Sequence, residues 1–354
     1  MLLALGVSFA VTGAVSSAYH KQRIVLGAEH YERGSDEAAT GHALQATDEF
    51  RTALLFSPDN MPYRLSLALA LLNSGRLDEA QAHLEELKQD DPTSGRVNLA
   101  LARVESKRGH LKNAIAYYQQ AVYEYWPADQ IPERRQGRWE LVDLLERTGR
   151  RNEAVGELIQ LYASAPPNDT AERSRIGFAM LKFGALSEAA RLFGGLEKAS
   201  PHLAEVHRGL GEVYFAMGDY VSARHEFQHA LHVDAKDHQS VDDLALTNAV
   251  IDLDPLLPRI GSSERDRRSR NLLSRVVADV TSCSSGRTLA SYLEQELANA
   301  NSLLQAPKKN AARTQPDDLQ QAALQLWRDR ASFCEAGQAT DRAVEVALSK
   351  MSDE

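Results

Sequence analysis

An alanine-led pattern recurs six times along the chain, and it restricts the fold more than any other feature. The first copy reads Ala46-x3-Phe50-x2-Ala53-x4-Pro58. Successive leading alanines are separated by 34, 34, 40, 35 and 34 residues. They are Ala46, Ala80, Ala114, Ala154, Ala189 and Ala223. A fixed period of about 20–50 residues is typical of repeat architectures, in which each unit buries its apolar face by stacking on its neighbours.

From the second copy onward, a glycine stands five residues before each leading alanine. Glycine ends a helix in a left-handed conformation without steric cost. The residue seven positions before each glycine is small in most copies, and a small residue lets two helices approach closely. The glycines are Gly75, Gly109, Gly149, Gly184 and Gly218, and the earlier residues are Ala68, Ala102, Val142, Gly177 and Gly211. Each copy is therefore predicted to be a helix, a tight turn and a second helix.

Two copies depart from this spacing. The interval of 40 residues indicates an insertion at 125–130, which is rich in turn and aromatic residues. In the first copy, Leu26-Gly27 marks the predicted start of the first helix. A seven-residue extension around Gly34-Ser35-Asp36 is then predicted to lengthen the turn between the two helices.

The last copy, Leu210-Gly211-x2-Tyr214-x3-Gly218 and onward to Ala230, resembles the tetratricopeptide-repeat (TPR) consensus. The period of 34 residues is the TPR length. The resemblance covers about residues 22–252. It implies an all-α fold: a right-handed TPR α-solenoid of about six repeats plus a capping helix, followed by a small C-terminal helical bundle.

Three segments follow as predicted domains: an apolar N-terminal segment at 1–19, the solenoid with its capping helix at 20–257, and a helical region at 258–354 with a polar loop at 305–316. The run from Leu2 to Val15 is apolar but shorter than the about 20 residues of a membrane span. It predicts a membrane anchor or a signal, with Ser16-x-Ala18 as a cleavage pattern, and a buried N-terminal helix is the alternative. The expected location is membrane-anchored or exported to the cell envelope, with a cytoplasmic one as the alternative.

The net charge and the cysteine content limit which classes of partner and cofactor the chain is predicted to bind. The net charge of −9 argues against nucleic acid, which requires clustered basic residues. The two cysteines, Cys283 and Cys334, have no metal-binding spacing, and no cofactor is predicted. They are interpreted either as two structural thiols or as one disulfide, which requires an oxidising compartment.

The TPR resemblance also implies a binding surface, because first helices of successive repeats line a groove that receives a protein or peptide. Trp139 is the preferred anchor, since aromatic and Arg residues dominate hot spots. Leu65 and Leu69 stand where chaperone-binding members carry a carboxylate clamp, so chaperone C-termini are not implied. The predicted partner-binding residues are Leu65, Leu69, Arg103, Lys107, Trp139, Asp143, Arg175, Phe178, Arg208 and Glu212.

One motif indicates a different class of function. His225-Glu226-x-x-His229 matches the zinc-protease pattern HExxH, with Glu226 as general base. It lies in the second helix of the most regular repeat, where solvated histidines are the simpler interpretation. The predicted function is thus a non-enzymatic protein-interaction scaffold. The two alternatives are a zinc-dependent hydrolase and a purely structural assembly protein.

Overall fold

The computed structural model describes residues 2–284, 290–306, 316–330, 334 and 341–352, with side chains from residue 12 onward except at 284 and 352. These residues form seventeen α-helices and no strand. The all-α fold class predicted from the repeat is confirmed. The chain divides into two compact units, Met1–Ser164 and Ala165–Glu354. The domain boundaries predicted above stay predictions.

The first unit consists of four helix pairs and a short 3-10 turn at Ala128–Gln130. The helices are α1 Leu2–Ala39, α2 Ala43–Phe56, α3 Met61–Asn73, α4 Leu77–Asp90, α5 Gly95–Lys107, α6 Leu111–Tyr123, α7 Ile131–Arg147 and α8 Arg151–Ser164. Leading alanines such as Ala80 and Ala114 are fully buried, because a methyl group lets the paired helices come closest there.

The first pair corrects the sequence interpretation of its turn. Gly34-Ser35-Asp36 lies within α1, so the predicted extension of the inter-helix turn is wrong. The turn is at Gly41, which has a φ of +84° and stands five residues before Ala46 as in the other copies. Gly34 is small for a packing reason: a Cβ there would lie 2.8 Å from the Phe50 ring. The first copy is therefore in the same register as the rest.

The longer third copy contains a packed insertion. The Trp126 side chain is buried, and its Nε1 donates a hydrogen bond to the Ala121 carbonyl at 2.8 Å. It occupies the space beside Gly95, where a Cβ would lie 2.5 Å from the indole. The extra residues therefore bury an aromatic side chain against the start of α5.

The second unit contains two further helix pairs and five additional helices. The helices are α9 Thr170–Lys182, α10 Leu186–Ala199, α11 Ala204–Ala216, α12 Tyr220–Val233, α13 His238–Leu253, α14 Ser262–Ser284, α15 Ser291–Gln305, α16 Pro316–Arg330 and α17 Arg342–Ser352. Leu272 and Val276 of α14 share one hydrophobic core with Leu326 of α16 and Val344 of α17. The predicted C-terminal helices thus pack together. Most of the predicted polar loop, 307–315, lies outside the described residues.

Cys283 at the end of α14 is joined to Cys334 by a disulfide in this unit. Their Cα atoms are 5.5 Å apart, inside the range of about 4.4–6.8 Å that the bond requires. The oxidising compartment that this pairing requires stays a prediction.

The apolar N-terminus continues directly into the first repeat as part of α1. The side chains of residues 12–22 are exposed, so a buried N-terminal helix is wrong for this stretch. Val15 and Tyr19 are each 63% exposed. Across the helices of the described residues, none combines the length and the apolarity that crossing a bilayer requires.

Candidate functional site

A pocket of about 310 Å³, lined mainly by residues with polar side chains, lies in the first unit, where α3, α5 and α7 are neighbours. These are the first helices of three successive pairs, so the pocket is on the face that the TPR resemblance implies for binding. It contains three of the residues expected there, Arg103, Lys107 and Asp143. Its lining is Leu72, Asn73, Arg103, Ser106, Lys107, Tyr118, Glu140, Asp143 and Arg147.

The repeat spacing explains why these side chains meet. Arg103 and Lys107 follow the small residue Ala102 by one and five positions, and residues four apart lie on one helix face. Asp143 and Arg147 have the same relation to Val142 in the next pair. Stacked repeats present equivalent positions side by side, so the pairs converge on one pocket.

An ion pair forms one wall of the pocket. Arg103 donates two hydrogen bonds to Glu140, from Nε to Oε2 and from Nη2 to Oε1, each 2.9 Å long. The Tyr118 hydroxyl donates to the same carboxylate at 3.0 Å. Bidentate Arg–carboxylate pairs are geometrically specific as well as strong. These hydrogen bonds therefore link α5, α6 and α7 at this wall of the pocket.

These contacts determine the protonation states of Glu140 and Tyr118 in this wall of the pocket. Burial alone would raise the pKa of the Glu140 carboxyl, but the hydrogen bonds and charge of Arg103, with help from Tyr118, lower it overall. Burial and the adjacent Glu140 charge raise the pKa of Tyr118 well above its usual range. Glu140 thus remains charged and Tyr118 remains a donor near neutral pH.

The two other cations of the pocket are less constrained. The Lys107 ammonium donates one hydrogen bond to the Leu72 carbonyl at 3.0 Å. Arg147 reaches the Asp143 carbonyl oxygen through Nε at 3.4 Å. A lysine has three donors and an arginine has five, and both side chains are exposed. Both can therefore donate hydrogen bonds to an incoming acceptor.

Three predicted residues of the first unit lie outside this pocket. Trp139, the preferred anchor, is only 5% exposed and belongs to the interior of α7. It stands three residues before Val142, and that position faces inward, whereas the residues one and five after Val142 reach the pocket. Leu65 and Leu69 are half-buried against the core of the first repeats.

The four predicted residues of the second unit include one compact group. The Arg208 guanidinium carbon lies 4.6 Å from the centroid of the Phe178 ring, and Arg208 Nη1 is 3.1 Å from Glu212 Oε1. Burial, with the nearby charges of Asp243 and Asp237, raises the pKa of Glu212 despite the opposing effect of Arg208. The fourth residue, Arg175, is exposed and is 3.9 Å from Glu172.

The HExxH motif is not arranged as a protease site. Glu226 Oε2 is 2.9 Å from Nδ1 of His207 on α11, so the supposed general base is held by a neighbouring helix. His225 is 65% exposed, and His229 is also exposed. These two histidines are on the solvent side of α12, as the solvated interpretation predicts.

Sequence reasoning missed four important residues of the pocket: Asn73, Tyr118, Glu140 and Arg147. Asn73 and Arg147 follow their small residues, Ala68 and Val142, by the same five positions as Lys107 follows Ala102. Strict use of that offset would have found both. Tyr118 stands four residues after the leading alanine Ala114, where Phe50 stands in the first copy, and no signal in the sequence indicated its bond to Glu140.

Comparison with known proteins identifies the repeats. Two family models, both described as tetratricopeptide repeat, match the chain. One matches residues 38–104 and 180–245, and the other matches residues 99–170. Together these matches cover more than half of the chain. A search of curated protein sequences found no significant relative.

Among solved structures, YrrB, a TPR protein with an unusual peptide-binding site, is 16% identical with a TM-score of 0.41, covering 55% of this chain and 96% of its own. PilW, a type IV pilus biogenesis factor, is 15% identical with a TM-score of 0.41, covering 62% and 98%. MamA from Desulfovibrio magneticus is 18% identical with a TM-score of 0.33, covering 45% and 85%. These likenesses are too distant to carry an argument about function.

TPR repeats are protein-interaction scaffolds and are generally not enzymes. Three observations indicate the same family: the recurring alanine and glycine positions, the helix pairs and the matches of both family models. The chain belongs to the tetratricopeptide-repeat family and is a protein-interaction scaffold.

Proposed function

We propose that this scaffold binds a polypeptide segment of a partner protein on the first-helix face of the first unit. The pocket between α3, α5 and α7 receives an acidic side chain or a terminal carboxylate of that segment. The observation that carries this proposal is the pair of exposed cations, Lys107 and Arg147, which retain donors in a pocket already supported by the Arg103–Glu140 pair.

Charge and geometry support an anionic occupant. Arg103 is matched by Glu140, whereas among the residues that the structure describes Lys107 and Arg147 have only backbone carbonyls as their hydrogen-bond acceptors. A hydrogen bond to a charged group contributes about 1.5–3 kcal/mol. Loss of one such bond corresponds to a loss of affinity of about tenfold or more.

The test begins with a photo-crosslinking residue at Ser106, which lines the pocket, to identify the partner and the segment in contact. That purified segment is then titrated against Lys107→Ala and Arg147→Ala. Each variant is expected to weaken binding about tenfold. The matched controls are Lys112→Ala on α6 and Arg151→Ala on α8, both exposed and outside the pocket lining.

Equal affinity in all four variants would reject the pocket as the binding site and favour the purely structural assembly role. Trp139→Ala is unsuitable for this test. Its side chain is buried, so the substitution would disturb α7 whichever face binds the partner.

We also propose that the chain is associated with the cell envelope through the N-terminal part of α1. The apolar composition of Leu2–Val15 and the exposure of Val15 and Tyr19 support this. Flotation with phospholipid vesicles should retain the full chain and lose a variant lacking residues 2–18. Equal recovery of both in the vesicle fraction, or in the soluble fraction, would contradict the proposal.

A further inference from the structure

Three potential ligand atoms converge in the second unit, whereas the pocket described above belongs to the first unit. Glu197 on α10, His207 on α11 and Glu226 on α12 each place one nitrogen or oxygen atom within 4.8 Å of the others. The side chains of His207 and Glu226 are only 6% and 13% exposed. Helix pairs of two neighbouring repeats therefore bring a histidine and two carboxylates together in a largely desolvated space.

The orientation of His207 is fixed from outside the cluster. Its Nε2 lies 3.0 Å from the carbonyl oxygen of Pro201, which can only accept a hydrogen bond, so Nε2 carries a proton and donates. Nδ1 is thereby directed at Glu226, 2.9 Å away. A histidine that binds a metal nearly always donates its other ring N–H to a carbonyl or carboxylate in this way.

Close helix packing holds the three side chains in register. A Cβ on Gly209 would lie 2.3 Å from the ring of Phe193, which is one turn before Glu197 on α10. A Cβ on Gly211 would lie 2.6 Å from Phe227, the residue after Glu226. Gly209 and Gly211 lie on α11, two and four residues after His207. Ligands on rigid, close-packed helices are positioned more precisely than ligands on loops.

We propose that Glu197, His207 and Glu226 form a binding site for one zinc-class transition metal ion that stabilises the second unit. Zinc bonds to nitrogen and carboxylate oxygen are about 2.0–2.2 Å long, so the ligand atoms, now within 4.8 Å of one another, draw closer when all three bind one ion. The imidazole nitrogen favours zinc over magnesium or calcium, which prefer all-oxygen sites. The ion displaces the Nδ1 proton and bridges α10, α11 and α12.

This site differs from the protease interpretation of HExxH. It uses Glu226 as a ligand, with His207 from another helix, and it requires neither His225 nor a catalytic water. Its function is structural, because an ion that binds only the folded arrangement of three helices contributes free energy to folding; a water molecule completes the tetrahedral coordination.

The test is calorimetric titration of the purified full chain, first stripped with a chelator, with zinc chloride and in parallel with magnesium chloride. One equivalent of zinc should bind, and magnesium should not. Glu197→Gln should weaken zinc binding at least tenfold, and His207→Gln should abolish it. His225→Gln and His232→Gln, on the exposed side of α12, should change the affinity less than twofold.

Because His207 is buried, circular dichroism must show that its variant is folded, and Glu197→Gln, which is more accessible, remains decisive if it is not. Zinc should also raise the unfolding temperature of the wild type but not of Glu197→Gln. Absence of zinc binding would leave only a buried His207–Glu226 ion pair and overturn the proposal. Binding that is lost in His225→Gln but kept in Glu197→Gln would overturn it equally, since the metal would then be held by the surface motif.

Discussion

The glycines of the second unit provide a direct test of how its helices pack. Gly209 lies on α11, where an added Cβ would meet three atoms of the Phe193 ring at 2.3, 2.4 and 2.7 Å. Phe193 is fully buried and makes an edge-to-face contact with Phe178, with ring centroids 5.0 Å apart. The ring therefore has little space to move, and Gly209→Ala must push α10 and α11 apart.

The magnitude follows from two opposing effects. Overpacking of a close-packed core costs about 1–3 kcal/mol, and three contacts this short place Gly209→Ala near the upper end. Replacing a helical glycine by alanine recovers about 0.8–1.0 kcal/mol of helix propensity. The net expected destabilisation is about 2 kcal/mol, or about 4–8 °C in unfolding temperature for a unit of this size.

Gly195→Ala is the matched control. Gly195 is also inside a helix of the second unit, α10, but a Cβ there would have no atom within 4 Å. This variant gains helix propensity without a clash, so it should be stabilised by about 0.5–1 kcal/mol. Thermal and urea unfolding, followed by circular dichroism, measure both variants. If Gly209→Ala proves as stable as Gly195→Ala, the close contact between α10 and α11 is refuted.

Three further outcomes are expected. Burial would raise the pKa of Glu140, but Arg103 lowers it overall; this carboxylate therefore stabilises the fold above its unfolded pKa, and that contribution is lost as the pH falls through the folded pKa. The unfolding free energy of the wild type should consequently decline more steeply below about pH 4 than that of Glu140→Gln, and parallel declines in acid urea titrations would contradict this. Cys283→Ser should lower the unfolding free energy by about 2–4 kcal/mol and make the melt insensitive to reductant, since the bond to Cys334 closes a 51-residue separation; a reductant-insensitive wild type would show that the bond is absent. Asp219→Ala should cost about 1 kcal/mol in urea unfolding, because this side chain caps α12 through the Ser222 N–H; an unchanged midpoint would mean that the cap contributes nothing.

Much of this fold could be predicted from spacing alone. A leading alanine such as Ala80 is fully buried because the repeat brings two helices into contact at its methyl group. Gly75 adopts a φ of +81° because the chain reverses there between α3 and α4. These are local or nearest-neighbour requirements that each copy repeats, so their period is visible in the sequence.

The pocket of the first unit was only partly predictable. Arg103, Lys107 and Asp143 were found because the TPR resemblance implies that the first helices line a groove, and helix periodicity places these residues on one face of them. The same periodicity could not tell that Trp139, one turn earlier, is inside, since burial depends on what the adjacent repeat places over it. Nor could it show that the hydroxyl of Tyr118, a core residue by its position, bonds to Glu140.

The sequence by itself determined the repeat, its turns, the all-α class and the family, because these depend on backbone conformation and on side-chain size at fixed intervals. Only the tertiary structure decided which polar side chains meet. Glu197, His207 and Glu226 are 10 and 19 residues apart along the chain and have no motif spacing. They converge because Gly209 and Gly211 allow α10 and α12 to pack closely against α11. Such convergence depends on the distance between helices, and no periodicity within one helix records it.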